Sequence, residues 1–328
     1  MFNYKLNLQL FNNTNTLATL SNENKTYYDM RLLDEAEANL VFNQFGQKRP
    51  IPANEGTTIN FRKYDALEKA TTPLTEGVTP DGKTLNVTKI EATVAQYGSY
   101  VELSDVLDFA SIDNNILEAT KLIGKQAAST LDYLTRSVLI GGTNVCYANS
   151  KANRAAITNA DKLTVADVSS AVAILKSQNA PKINGEYIAI IHPYVAHDLM
   201  MDEAWQNAHE YAKADNIFNG EVGKIAGVRF IESTEAKIYY GTTNECADKT
   251  AVFACLFLGD GAYGITEITG GGLRTIIKQL GSSGTADPLD QRATVGWKAT
   301  HVAKRLNEAY MLRLECGSSM GSRVTKAN

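Results

Sequence analysis

The chain is poor in cysteine, in long apolar runs and in positive charge. Its four cysteines, Cys146, Cys246, Cys255 and Cys316, are scattered through 328 residues without a CxxC spacing. The pattern excludes a zinc knuckle or a thioredoxin-like pair and reads as buried free thiols in a reducing compartment. No stretch reaches the ~20 consecutive apolar residues of a membrane span. The opening Met1-Phe2-Asn3-Tyr4-Lys5 leads into a polar Asn/Thr-rich run, with no apolar leader or small-residue cleavage site. Neither a membrane partner nor signal-directed export is expected. Lysine and arginine (32) are outnumbered by aspartate and glutamate (36), for a net charge of −4. The clustered positive excess of a nucleic-acid reader is missing.

Recognisable catalytic chemistry is also lacking. His192, His197 and His209 lie near Asp198, Asp202 and Glu203, yet no HxxxH or HExxH pair exists. There is no GxSxG elbow. Gly259-Asp260-Gly261-Ala262-Tyr263-Gly264 spells GxGxxG, but a strand-like Ile265-Thr266-Glu267-Ile268-Thr269 follows where a dinucleotide site needs a helix N-terminus. That stretch is expected to be a tight strand-to-strand turn. No catalytic residue, metal ligand or cofactor is assigned, and a non-enzyme is favoured.

What is present is an ordinary globular composition, 44% apolar and 21% charged, in a chain long enough for one large or two modest domains. Residues 1 to about 25 read as an extended arm or, equally, a disordered tail. Tyr28, Leu32, Leu33, Ala36, Leu40 and Val41 predict a helix over 27–45. Two β-patterned segments follow, Thr57–Phe61 and Leu85–Val94, joined by a polar tip with Pro73, Gly77, Pro80 and Asp81-Gly82. The apolar parity switches between Val87 and Ile90, which predicts a bulge near Thr88-Lys89. A lone two-stranded ribbon is marginal in water and needs another surface, so assembly leads the functional readings.

Downstream, Ser104-Asp105 predicts a short helix, and Asp113-Asn114-Asn115 a long one through Val138, ended by Gly141-Gly142. At 1.5 Å per residue it is about 40 Å long. Thr164-Val165-Ala166-Asp167 matches a capping box. Tyr187–Ile191 and Ala251–Leu258 read as buried strands, with a helix from Pro193 to about Trp205 and a strand over 227–231. Val295, Trp297, Ala299 and His301 alternate as in a strand, and a last strand spans about 310–316.

Several phrases resemble tailed-bacteriophage major capsid proteins, most nearly the coat family typified by coliphage N-four. They are Thr72-Pro73-Leu74-Thr75-Glu76-Gly77-Val78-Thr79-Pro80-Asp81-Gly82, then Gln96–Asp105, Gly223–Ser233 and Gln279–Lys298. The resemblance implies an α+β Hong Kong-97-type capsid fold. Its parts would be an N-terminal arm (1–50), an extended hairpin loop (51–100), a peripheral domain (101–160 and 268–307) with a spine helix over 114–140, and an axial domain (161–267 and 308–328). The implied function is self-assembly into hexamers and pentamers of an icosahedral head around double-stranded DNA, held without sequence-specific contacts. Separate scaffold and portal proteins are implied, and a decoration protein is compatible with it. Assembly would take place in the host cytoplasm and leave the protein in the virion. The intersubunit contacts expected are Leu6, Leu8, Leu10 and Phe11 in the arm, with Phe61, Tyr64, Leu67, Leu74, Leu85, Val87 and Tyr97 in the hairpin. Alternatives are an encapsulin-like compartment shell and a nucleotide-binding α/β enzyme.

Overall fold

A computed structural model of the chain describes residues 40–50, 57–64, 67–74, 76–79, 82–110, 115–210, 223–241, 246–247, 250–267, 273–282 and 287–328. In chain order the elements are β1 (Gln47–Arg49), β2 (Thr58–Tyr64), β3 (Val87–Thr93), β4 (Ala95–Ser104), α1 (Asp105–Ala110), α2 (Asn115–Ile140) and β5 (Val145–Tyr147). Then come α3 (Val165–Ser177), β6 (Tyr187–Ile191), α4 (Pro193–Met200), α5 (Glu203–Glu210), β7 (Lys224–Ile225), β8 (Val228–Glu232) and β9 (Ile238–Tyr240). The last are β10 (Ala251–Leu258), β11 (Tyr263–Thr266), β12 (Leu273–Lys278), β13 (Arg292–His301), β14 (Ala303–Arg305) and β15 (Met311–Cys316). Two compact units result, one of residues 40–95, 129–268 and 300–328, the other including 96–128 and 269–299. The division passes through α2, and the hairpin base counts with the larger unit.

The larger unit is built on a sheet ordered β5-β15-β10-β6-β8-β7, with β9 also beside β10. β10 runs antiparallel to β15 and β6, while β6 and β8 are parallel. Every residue of β6 and β10 is buried, because both faces of the sheet are covered. On one face Val168, Val172 and Leu175 of α3 and Val195 and Leu199 of α4 pack on Ile191, Phe253, Phe257 and Leu312. On the other, Ile188, Ile190, Leu256 and Leu258 meet Phe42, Leu139, Tyr263 and Ile265. Strands covered on both sides read as the unbroken apolar runs seen in the sequence.

The expected capping box is present. Thr164 Oγ1 accepts from the Asp167 amide at 3.2 Å, and Asp167 Oδ2 accepts from the Thr164 amide at 3.2 Å. His192 caps α4, with Pro193 in its first turn. The helix expected to run on to Trp205 is instead two. Asp202 divides them, its Oδ1 accepting from the Ala204 amide to start α5 and its Oδ2 from the Val165 amide to fix α3.

Of the helix expected over 27–45, residues 27–39 lie outside the described residues, and its last part is corrected, since residues 41–46 form turns and bends. Asp132 of α2 takes the Phe42 amide at 2.8 Å and the Val41 amide at 3.1 Å, donors that a continuing helix would direct to carbonyls four residues back. Buried charges elsewhere are likewise held. Glu315 of β15 receives two bonds of 2.7 Å from Arg154 and an ion pair of 2.8 Å from Arg313.

The smaller unit has a sheet ordered β12-β13-β4. Leu273, Thr275, Val295, Trp297 and Ala299 are buried. Trp297 Nε1 donates to Gln126 of α2 at 3.2 Å, which places the helix over that face. Ser104 caps α1 as expected, its Oγ accepting from the Leu107 amide at 3.3 Å. The expected cap at Asp113-Asn114 lies outside the described residues.

Candidate assembly surface

β2 and β3 pair without interruption from Thr58↔Thr93 through Phe61↔Ile90 to Tyr64↔Val87. No bulge forms at Thr88-Lys89. The parity switch has another cause, a change in which face of the ribbon carries the apolar residues. At the base, Ile59, Phe61 and Ala92 point to one face and are buried with Ile90, Val94, Val302 and Leu306. Toward the tip, Tyr64 and Val87 point the other way and are exposed.

Phe61 therefore departs from the expectation that it contacts a neighbour. It is fully buried on its own chain, with its ring in the space where Gly264 has no side chain. The remaining hairpin residues are open. Tyr64, Leu67, Leu74, Leu85 and Val87 are all exposed, Leu74 at 78% and Leu85 at 67%. Across the ribbon Lys83 pairs with Glu68 at 3.1 Å, both in solvent, where such a pair adds little stability. Leu6, Leu8, Leu10 and Phe11 lie outside the described residues. Tyr97 belongs to the smaller unit, where it is partly buried on β4.

Pattern reading missed Val78 beside Gly77, and Tyr100 and Ile276 on the smaller sheet, all exposed. Ile276 sits in a Leu273–Lys278 strand whose alternation was available as a signal, since its odd positions Leu273 and Thr275 are buried and its even ones are not. With Tyr97, Tyr100, Trp297 and Lys298 it lines a hollow of about 760 Å³ on that unit.

The Gly259–Gly264 stretch joins β10 to β11 as a turn, with Gly261 at φ +70°. A side chain at Gly259 would meet the Pro181 carbonyl at 2.8 Å. Its glycines thus serve close chain approach. His192 Nδ1 accepts from the Tyr194 amide at 3.1 Å, and Asp198 is held by Ser318 and the Ser319 amide. These side chains serve as a cap and a tether for the C-terminal segment. The side chain of His209 lies outside the described residues. Among the described residues no group of three His, Cys, Asp or Glu could hold a metal, and no helix is long and apolar enough to cross a membrane.

Residues 87–314 match the profile of a family described as phage capsid protein. In structure the chain is similar to the capsid of cyanophage P-SCSP1u (17% identity, TM-score 0.64), covering 85% of this chain and 89% of that one. It is similar to the capsid of Ralstonia phage GP4 (16%, TM-score 0.64; 83% and 87% covered). A virus-like particle from Pyrococcus furiosus also aligns (10%, TM-score 0.52; 89% and 99% covered). No curated protein sequence matches significantly. These neighbours share the α+β Hong Kong-97-type fold.

Proposed function

The chain belongs to the phage capsid protein family, and we propose that its exposed hairpin tip is the part with which it holds the next copy in the shell. It is a structural major capsid protein of the virion, not an enzyme, and it associates with itself. The single observation that carries the hairpin reading is the split along the ribbon. Its base is anchored by Phe61, whereas Leu67, Leu74, Val78 and Leu85 beyond it are exposed. Apolar area left uncovered in the isolated chain is worth about 25 cal/mol per Å² once a neighbour covers it, less the cost of ordering the loop. Many modest contacts let wrong ones dissociate while the closed shell remains stable.

The finer reading is a coat protein of the coliphage N-four type. Its copies form hexamers and pentamers around double-stranded DNA, assembled in the host cytoplasm with a separate scaffold, a portal and, where needed, a decoration protein. In it residues 101–160 and 268–307 would be peripheral, 161–267 and 308–328 axial, and the arm segment with Leu6, Leu8, Leu10 and Phe11 would run along a neighbour. The phrases Thr72–Gly82 and Gln279–Lys298 support that choice. The encapsulin-like alternative is less supported, because the matched family is a phage one. Negative-stain microscopy of the expressed chain tests the proposal. Shells, tubes or capsomer rings are expected, and a persistent monomer at high concentration would refute it.

A further inference from the structure

In a self-associating chain, open main-chain edges decide which unwanted contacts between copies can form. On the larger unit, β9 pairs with β10 alone among the described strands. The Lys237 carbonyl accepts from the Ala254 amide at 2.9 Å. Backbone groups alternate in direction along an antiparallel strand, so Ile238 turns its amide and carbonyl away from β10. Asn328 takes both. Its Oδ1 accepts from the Ile238 amide at 2.8 Å, and its own amide donates to the Ile238 carbonyl at 3.4 Å. Its Nδ2 donates to the Ala236 carbonyl at 2.9 Å, and Lys237 Nζ donates to the Asn328 carbonyl. One residue thus satisfies three outward main-chain groups, much as a further strand would.

This attachment is separate from the anchors that precede it. The Gly317 amide donates to the Asp161 carbonyl at 2.8 Å, and Ser318 Oγ and the Ser319 amide donate to Asp198. Val324 packs on the core, whereas Thr325, Lys326 and Asn328 are exposed. The edge beneath Asn328 is of a kind that joins copies. Ile238-Tyr239-Tyr240 is uncharged and rich in strand-forming side chains, and an edge with free outward groups is a template for another chain. Such an edge is self-complementary about a two-fold axis. Lysine on an edge strand opposes that pairing, and Lys237 stands at this one. We infer that Asn328 and Lys237 together guard the edge, keeping β9 of one copy from pairing with β9 of a second. Subunits are thereby left to meet through their shell contacts. The inference stands apart from the hairpin reading.

Asn328→Ala tests it on the unassembled subunit, below the onset of shell formation. The position is exposed, so circular dichroism should be unchanged. Hydrogen exchange at the Ile238 amide should quicken roughly tenfold or more, because its acceptor is gone. Sedimentation velocity should show dimers and larger species where the unaltered chain is monomeric. Adding Lys237→Ser should increase them, and negative stain should show irregular particles rather than closed ones. Unchanged exchange at Ile238 would mean that Asn328 does not cap the edge, and would overturn the inference. Faster exchange in a chain that stays monomeric would mean that the edge needs no guard, and would overturn it equally. Dimers that persist when Leu74→Ser and Leu85→Ser are added support the edge. Dimers that vanish in that background arise from the hairpin and refute it.

Discussion

A side chain built on Gly264 would overlap the Phe61 ring, which is fully buried although it belongs to a strand most of whose face is open. The pair is a peg and its socket, and it decides where the hairpin leaves the body. Gly264→Ala should therefore cost about 1–3 kcal/mol through overpacking, and Phe61→Ala about 3–5 kcal/mol through the cavity it leaves. Urea unfolding of the unassembled subunit measures both. Equal stability in Phe61→Ala would mean that the ring is not seated.

Buried ionisable groups set a second prediction at this scale. Burial raises Asp132 to about 6, with Glu235 adding to it, against the pull of the Val41, Phe42 and Asn43 amides. Burial pushes His192 and His301 down to about 4. His301 lies between Thr135 and Thr266, each hydroxyl at 3.0 Å. Below about pH 6 the native Asp132 takes up a proton that the unfolded chain still lacks, so its contribution grows as pH falls from about 6 to 4. The histidines act oppositely, because the unfolded chain protonates them first as pH drops below 6.5, and stability is lost toward pH 4. Two histidines outweigh one carboxyl, and acidification should destabilise. Asp132→Asn removes the opposing contribution and should steepen that loss between pH 6 and 4, as followed by denaturant midpoints. An unchanged slope would refute the assignment.

At the scale of elements, α3 begins where its local sequence says it should. Thr164 and Asp167 satisfy one another's backbone amides, and Thr164→Ala should cost about 1 kcal/mol in thermal or urea unfolding. Such features were legible because their partners lie within one turn. The doubly covered strands Tyr187–Ile191 and Ala251–Leu258 were equally plain, since no other environment tolerates an unbroken apolar run of that length. Elements shaped by distant residues were not. Residues 41–46 are not helical because the Val41 and Phe42 amides bond to Asp132, 91 and 90 positions away. The Thr88-Lys89 region looks bulged in sequence only because the ribbon is apolar on one face at its base and on the other toward its tip. Apolar alternation reports that a face is covered without naming what covers it. For the same reason Phe61 resembled its exposed neighbours until Gly264 was seen opposite it. Exposed apolar residues such as Leu74 were legible as surface by their setting among Pro, Gly and Thr.

For the whole molecule, the hairpin has one part that stabilises the fold and another that serves assembly, and the two should separate by mutation. Leu74 and Leu85 stand largely in solvent, so replacing both with serine removes almost nothing from the subunit's own core. Its unfolding midpoint should stay within about 0.5 kcal/mol of the original, the ordinary range for surface changes. If a neighbour covers them, each leucine contributes about 1.5–3 kcal/mol to the contact. Losing even about 2 kcal/mol weakens every such contact roughly 30-fold. On the proposed reading each subunit would give one tip and receive one, so the loss would recur at every contact around the lattice. Light scattering should show the onset of assembly moving to concentrations at least tenfold higher. Phe61→Ala should reverse the pattern, lowering subunit stability first and disturbing assembly only through a loosened hairpin. A Leu74→Ser, Leu85→Ser chain that assembles at the original concentration would place the neighbour's grip elsewhere on the molecule.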